Sequence, residues 1–164
     1  MEPEVRSVKA IMTVDGRYKI SNVVDTLCDI DNRCQWDTSV NVSKVIKKYN
    51  RNLLTYYYIL KIPVPFMSDR EFLEKRVVFC WEEGVYIYNT SVADSFYPSS
   101  DDLIRGSTVF SGSHVKREGK NIVIRTVSQM DFKVSMPTFF IGGKIADGSA
   151  TFSKQLANRL SDLK

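Results

Sequence analysis

Histidine is almost missing from this chain: His114 is the only one among 164 residues. It falls on an expected strand beside Lys116 and Arg117, with no C-x-x-C, H-x-x-x-H or G-x-S-x-G pattern nearby, so motif-borne metal and nucleophile chemistries are not indicated. Cysteine is scarce too. Cys28, Cys34 and Cys80 are an odd set without paired spacing, which argues against a disulfide framework and a zinc knuckle. No metal or cofactor is expected. No stretch approaches the ~18 consecutive apolar residues of a membrane span. Met1 is followed by Glu2, Glu4, Arg6 and Lys9 rather than by an apolar segment, so no secretory leader is expected and a cytoplasmic, reducing compartment is. Gly142-Gly143 does not follow a strand at P-loop or dinucleotide-binding spacing. Internal repeats, low-complexity tracts and interdomain linkers are not found.

What remains is ordinary globular material, 43% hydrophobic and 26% charged, which speaks against disorder and for one domain over residues 1–164. The formal charge of +4 favours anionic partners, lipid headgroups or nucleic acid, without choosing between them.

The chain reads in order as one strand, two short helices, six antiparallel strands and one long helix. Val5 to Val14 alternates, and Asp15-Gly16 turns it. Ile20, Val23, Val24 and Leu27 fall at helical spacing, and Asp29 to Cys34 suits one more helical turn. Val42 to Tyr49 and Leu53 to Ile62 form a hairpin through Asn50-Arg51-Asn52. Pro63 and Pro65 end the second of these strands. Glu71 to Trp81 and Val85 to Val92 follow, then a long connection from Ala93 to Asp102. Leu103 to Val115 and Asn121 to Met130 make the last hairpin around Glu118-Gly119.

From Met136 to Leu163, Ile141, Ile145, Phe152, Leu156, Leu160 and Leu163 recur at helical spacing between charged residues. Pro137 suits the first turn, while Gly142, Gly143 and Gly148 each cost about 1 kcal/mol against alanine inside a helix. An amphipathic helix needs a concave partner, and here a sheet precedes it. The expected fold is α+β: a curved antiparallel sheet of about seven strands wrapped around the C-terminal helix, with two short helices after the first strand.

Four stretches, in order, resemble the START family of lipid-transfer domains. Arg33-Cys34-Gln35-Trp36-Asp37 is similar to its R-x-x-W-D signature, and Pro65 to Leu73 to P-x-x-S-x-R-D-F-V, with Glu71 for Asp. Ile104-Arg105-Gly106 matches the step after the long loop. Asp131 to Pro137 resembles D-x-K-G-x-x-P, with Val134 for Gly. The resemblance runs from Val8 to the C-terminus and is to a START domain shortened at its N-terminus. It implies a helix-grip cup holding one lipid (sterol, phospholipid or sphingolipid) under the last helix, in a monomer that meets membranes transiently.

Ile141, Ile145 and Phe152 are the expected inward-facing ligand contacts on that helix. Phe96 and Tyr97 in the long loop, with Gly142 and Gly143 in the facing helix, are the expected gate; close helix–sheet packing is the competing reading of the two glycines. On the fourth strand, alternation puts Phe72, Glu74, Arg76 and Val78 on one face and Leu73, Lys75, Val77, Phe79 and Trp81 on the other. Apolar content alone would bury the second set. The resemblance implies the reverse, because in several START proteins the arginine at the position of Arg76 lies inside the cavity, paired with an acid from the preceding strand. An ungapped count puts Tyr57 at that acidic position, so Glu74 and the Tyr57 hydroxyl become the expected partners of Arg76, or else Arg76 meets an anionic headgroup.

Other residues have plainer expected roles. Trp36 and Asp37 read as structural, Arg70 and Glu71 as a satisfied pair, and Asp101-Asp102 as solvated loop charge. Lys44, Lys47, Lys48 and Arg51 with Tyr49 and Tyr56 to Tyr58 have the composition of a single-strand stacking platform, but a solvated hairpin with core-lining tyrosines is the reading adopted, and no nucleic-acid partner is expected. The alternatives to lipid carriage are a cyclase- or hydratase-type enzyme on the same cup, using Tyr57, Glu74 or His114 as acid or base, and a scaffold without a cavity.

Overall fold

Alternation of exposed and buried side chains organises the sheet. In β1, Ser7–Asp15, Val8, Ala10, Met12 and Val14 point to one face while Lys9, Ile11 and Thr13 are exposed, the pattern of a strand with one side on a core. The computed structural model describes residues 7–62, 67–82, 84–93, 95, 97–133 and 138–163, with backbone alone for 138–146. Pro63, Pro65, Phe66, Phe96 and Pro137, on which earlier expectations fell, lie outside the described residues.

Helix α1, Ile20–Cys28, follows β1 and buries Val23, Val24 and Leu27. A single 3-10 turn, Arg33–Gln35, is the second short helix. Then come β2, Val40–Asn50; β3, Leu53–Leu60; β4, Arg70–Trp81; β5, Gly84–Ser91; β6, Ile104–Arg105; β7, Ser107–Glu118; β8, Asn121–Asp131; and α2, Thr138–Asp162. Seven strands lie in the order β1-β8-β7-β5-β4-β3-β2, and the short β6 pairs with β4.

That eighth strand departs from the expected single run from Leu103. Ile104 and Arg105 pair parallel with Arg70 and Glu71, beside the part of β4 that β5 leaves open. The break falls at Gly106, where an added Cβ would lie 2.5 Å from two Phe72 ring atoms and 3.1 Å from the Asp131 carbonyl oxygen. Only a residue without a side chain lets the backbone pass this close to the ring.

The core forms where the second half of α2 meets the sheet. Leu156 and Leu160, with α1 residues Val23, Val24 and Leu27, pack on Val14, Ile87, Val115, Ile122 and Ile124. Leu163, expected on the same stripe, is 48% exposed, since the helix runs out at Asp162. Within α2, Gln155 Nε2 donates to Thr38 Oγ1 just ahead of β2, so the helix touches both ends of the sheet path. This is the helix-grip arrangement.

Candidate ligand-binding site

The face of β4 that carries Val78 into the core also carries Phe72, Glu74 and Arg76. This inner face is the more polar of the two, yet Glu74 is 2% exposed and Arg76 7%; on the other face Glu71 and Leu73 are buried too, but Phe79 and Trp81 are 43% and 63% exposed. Counting apolar residues points the wrong way here because the buried polar atoms satisfy one another.

Register determines which groups meet. Glu74 lies opposite Tyr56, and Arg76 opposite Asn89. Tyr56 and Tyr58 hydroxyls donate to the two Glu74 oxygens, the latter at 2.9 Å, and the Thr108 hydroxyl donates to the same oxygen as Tyr58. Arg76 Nε donates to Asn89 Oδ1 at 2.8 Å, with longer contacts to the Tyr56 hydroxyl at 3.4 Å and the Leu27 carbonyl at 3.5 Å. The guanidinium also lies over the Tyr56 ring, 4.6 Å from its centroid. Glu74 and Arg76 are thus joined through Tyr56 rather than by direct contact. Burial, followed by the Glu74 charge, pushes the Tyr56 and Tyr58 phenols well above their usual range, so both act as donors and neither is a base. Burial opposes the charge on Arg76, but Tyr56, Cys28 and Glu74 outweigh it.

Tyr57 is not part of this set. It lies opposite Leu73, on the outer face, and donates to Glu71 Oε2 at 2.7 Å. The ungapped count runs one residue off, so the hydroxyl that reaches Arg76 belongs to Tyr56. Arg70 and Glu71 are not paired with each other either, since neighbours on a strand point to opposite faces. Arg70 donates to the carbonyls of Phe132 and Ser68. Glu71 accepts from Arg105 Nε at 3.1 Å and from the Ser100 backbone N–H.

Tyr97 packs against Tyr57 with ring centroids 4.8 Å apart, and the Lys44 ammonium lies 4.7 Å from the Tyr97 centroid. The described part of the β5–β6 connection is therefore tied to the outer face, away from Arg76. Of the expected gate, Phe96 is outside the described residues. Gly142, Gly143, Ile141 and Ile145 lie in α2 by backbone, and their side-chain surroundings are not described.

Phe152 is held from below. The Trp36 and Phe152 rings pack on each other with centroids 5.6 Å apart; the Arg33 guanidinium caps both, 4.6 and 4.7 Å from their centroids, and Arg33 Nε donates to Asp37 Oδ2 at 2.7 Å. Asp37 also accepts from the Ser39 N–H and hydroxyl. Arg33, Trp36 and Asp37 fasten α2 to the segment before β2, the structural role expected for Trp36 and Asp37.

Sequence reasoning missed Asn89, Tyr56, Tyr58 and Thr108. The signal available was the run Tyr56-Tyr57-Tyr58 on a strand, of which alternation sends two to one face. Of the acid–base candidates, Glu74 is on the inner face, Tyr57 on the outer face near Glu71, and His114 on the outer face stacked on Tyr86 at 4.4 Å. Nothing brings the three together. Among the described residues no group of three or more His, Cys, Asp or Glu side chains is placed to hold a metal, and no helix is long and apolar enough to cross a membrane.

A curved antiparallel sheet gripping a long helix, with a satisfied polar cluster on its inner face, defines a helix-grip domain. The sequence model of the START domain matches residues 2–164, and the chain belongs to the START domain family. START domain-containing protein 10 of Mus musculus and of Homo sapiens is 30% identical over 118 residues, 71% of this chain. The chain spans 40% of the length of these curated relatives. The crystal structure of human STARD10 superposes with a TM-score of 0.81 at 24% identity, covering 98% of this chain and 65% of that one. Human StAR-related lipid transfer protein 5 gives 0.82 at 16% identity, covering 96% and 76%. The ZhuI aromatase/cyclase of a Streptomyces species shares the fold at a TM-score of 0.62 and 7% identity, covering 95% and 93%.

Proposed function

We propose that this domain binds one lipid molecule, a sterol, phospholipid or sphingolipid, in a cavity between the inner face of the sheet and α2, and carries it between membranes without altering it chemically. The observation that carries this reading is the inner-face cluster: Arg76 and Glu74 are buried and hydrogen-bonded beside Phe72 and Val78, a polar floor within an apolar surround. Family membership supports it, as does the shared fold with human StAR-related lipid transfer protein 5. The apolar part of the ligand lies against Ile141, Ile145 and Phe152, and burial there is favourable by roughly 25 cal/mol per Å². The ligand's polar end meets Arg76, whose fork has one strong hydrogen bond, through Nε, and weaker contacts at its terminal nitrogens. In this reading the domain is a cytoplasmic monomer that meets membrane surfaces transiently, and it has no nucleic-acid partner.

A catalytic role has less support, since Tyr57 and His114 lie on the outer face and Glu74 is already engaged by three hydroxyls. The test is native mass spectrometry of the purified protein after incubation with mixed lipid vesicles. A one-to-one lipid complex is expected, abolished by Ile145→Asp, with the selected lipid class changed by Arg76→Leu. An empty protein that turns over a polyketide-like substrate overturns the reading in favour of the cyclase; an empty, inert one leaves a scaffold.

A further inference from the structure

The basic residues of the first hairpin find no use in lipid carriage, yet the fold gathers them. Lys47, Thr55 and Lys75 stand opposite one another in a row across β2, β3 and β4, about 10 Å at the usual strand spacing. Tyr49 joins the ends of that row: the Lys47 and Lys75 ammoniums lie 5.0 and 4.6 Å from its ring centroid. Lys44 continues the row toward Tyr57 and Tyr97. Across these three strands, among the described residues, Glu71 is the one carboxylate on this outer face, and it is buried and engaged by Arg105. The same face runs along β4 from Lys75 to Phe79 and Trp81, which are exposed, with Tyr86 stacked on Phe79 at 5.3 Å and Tyr88 exposed on β5.

We infer that this outer face of β2, β3, β4 and β5 is a docking surface for an anionic lipid bilayer. Lysines are compact charges suited to headgroup phosphates and carboxylates. Exposed tryptophan, phenylalanine and tyrosine on the same face are the side chains that settle at a membrane–water interface. Single-stranded nucleic acid fits less well, because stacking needs bare ring faces and Tyr49 already carries two ammonium groups. The surface lies on the side of the sheet away from Arg76 and α2, so docking is separable from ligand uptake and does not depend on it. Lys44 links it to Tyr97, which places the β5–β6 connection at its rim.

The experiment is flotation of the protein with vesicles of phosphatidylcholine alone and of phosphatidylcholine with phosphatidylserine, at low and high salt. Binding to the serine-containing vesicles is expected, weakening as salt screens the lysines. Lys44→Glu with Lys47→Glu and Lys75→Glu should lower partitioning by about tenfold or more. The milder pair Lys44→Ala and Lys47→Ala should lower it by about threefold or more and serves if the triple variant is unstable. Tryptophan emission should shift to the blue on binding, and the shift should vanish in Trp81→Phe. Flotation that is equal on both vesicles and indifferent to the lysine variants overturns the inference. So does an absence of flotation together with a single-stranded RNA oligonucleotide bound by the wild type and lost in the triple variant. Loss of lipid uptake with docking intact would count against the carrier reading alone.

Discussion

Replacing Glu74 by leucine and Arg76 by leucine, singly and together, tests how the inner-face cluster is held. Were the two a buried ion pair, each single change would cost about 3–5 kcal/mol by stranding a charge, and the double change would recover most of it. The geometry is different. Glu74→Leu removes the acceptor for Tyr56, Tyr58 and Thr108. Tyr56 can turn to Asn89 Oδ1 at 3.2 Å, and the Tyr58 and Thr108 hydroxyls can bond each other, which leaves one of those two protons unpaired. At about 1–3 kcal/mol for that group the loss is a substantial share of an ordinary folding stability of about 5–15 kcal/mol. Arg76→Leu removes one good hydrogen bond and two long ones, about 1.5–3 kcal/mol, and Glu74 keeps all three hydroxyl donors. The double variant should therefore be no more stable than Glu74→Leu, to within about 1 kcal/mol, and the cycle is read from urea midpoints at a constant m-value. A double variant restored to near wild type would refute the hydroxyl cage and establish the ion pair.

Two further outcomes follow from packing and charge. Gly106→Ala should destabilise the domain by about 1–3 kcal/mol through overpacking against the fully buried Phe72, and Phe72→Leu in the same chain should return part of it, both read by thermal unfolding. The Glu118 carboxyl, hydrogen-bonded by Arg125 at 2.7 and 2.8 Å, is lowered from 4.5 to about 2. Its folded value lies below the unfolded one, so its contribution is present above pH 4.5 and lost as pH falls toward 2. Glu118→Gln should flatten the melting temperature over that interval, by a small amount because the pair is exposed.

Elements with a strong period were legible in the sequence. The helix at Ile20, the β2–β3 hairpin and the terminal helix all carry spacing that local physics fixes, and the structure has them within a few residues. The site was half legible. Period two grouped Glu74 with Arg76 correctly, but composition could not say which face was inside, because Leu73 is buried on the outer side of the sheet and Trp81 is left in solvent. Pairing across strands was not legible. Between β3 and β4 the described residues 61, 62 and 67–69 lie in no strand, so counting back from Arg76 has no fixed length, and an error of one residue exchanges Tyr56 for Tyr57. The parallel contact of β6 was hidden for a related reason: two residues are too few to show a period.

The pairing of β1 with β8 also governs how the chain reaches its native state. Residues 7–15 bond to residues 121–129, so the sheet cannot be completed until nearly the whole chain is present. Such non-local pairing places the domain among slow folders, on the scale of milliseconds to seconds. During synthesis, the apolar side of β1 and the buried face of α1 wait for β8, and then for Leu156 and Leu160 of α2. Until then they are surfaces on which a chaperone can act and on which aggregation can begin.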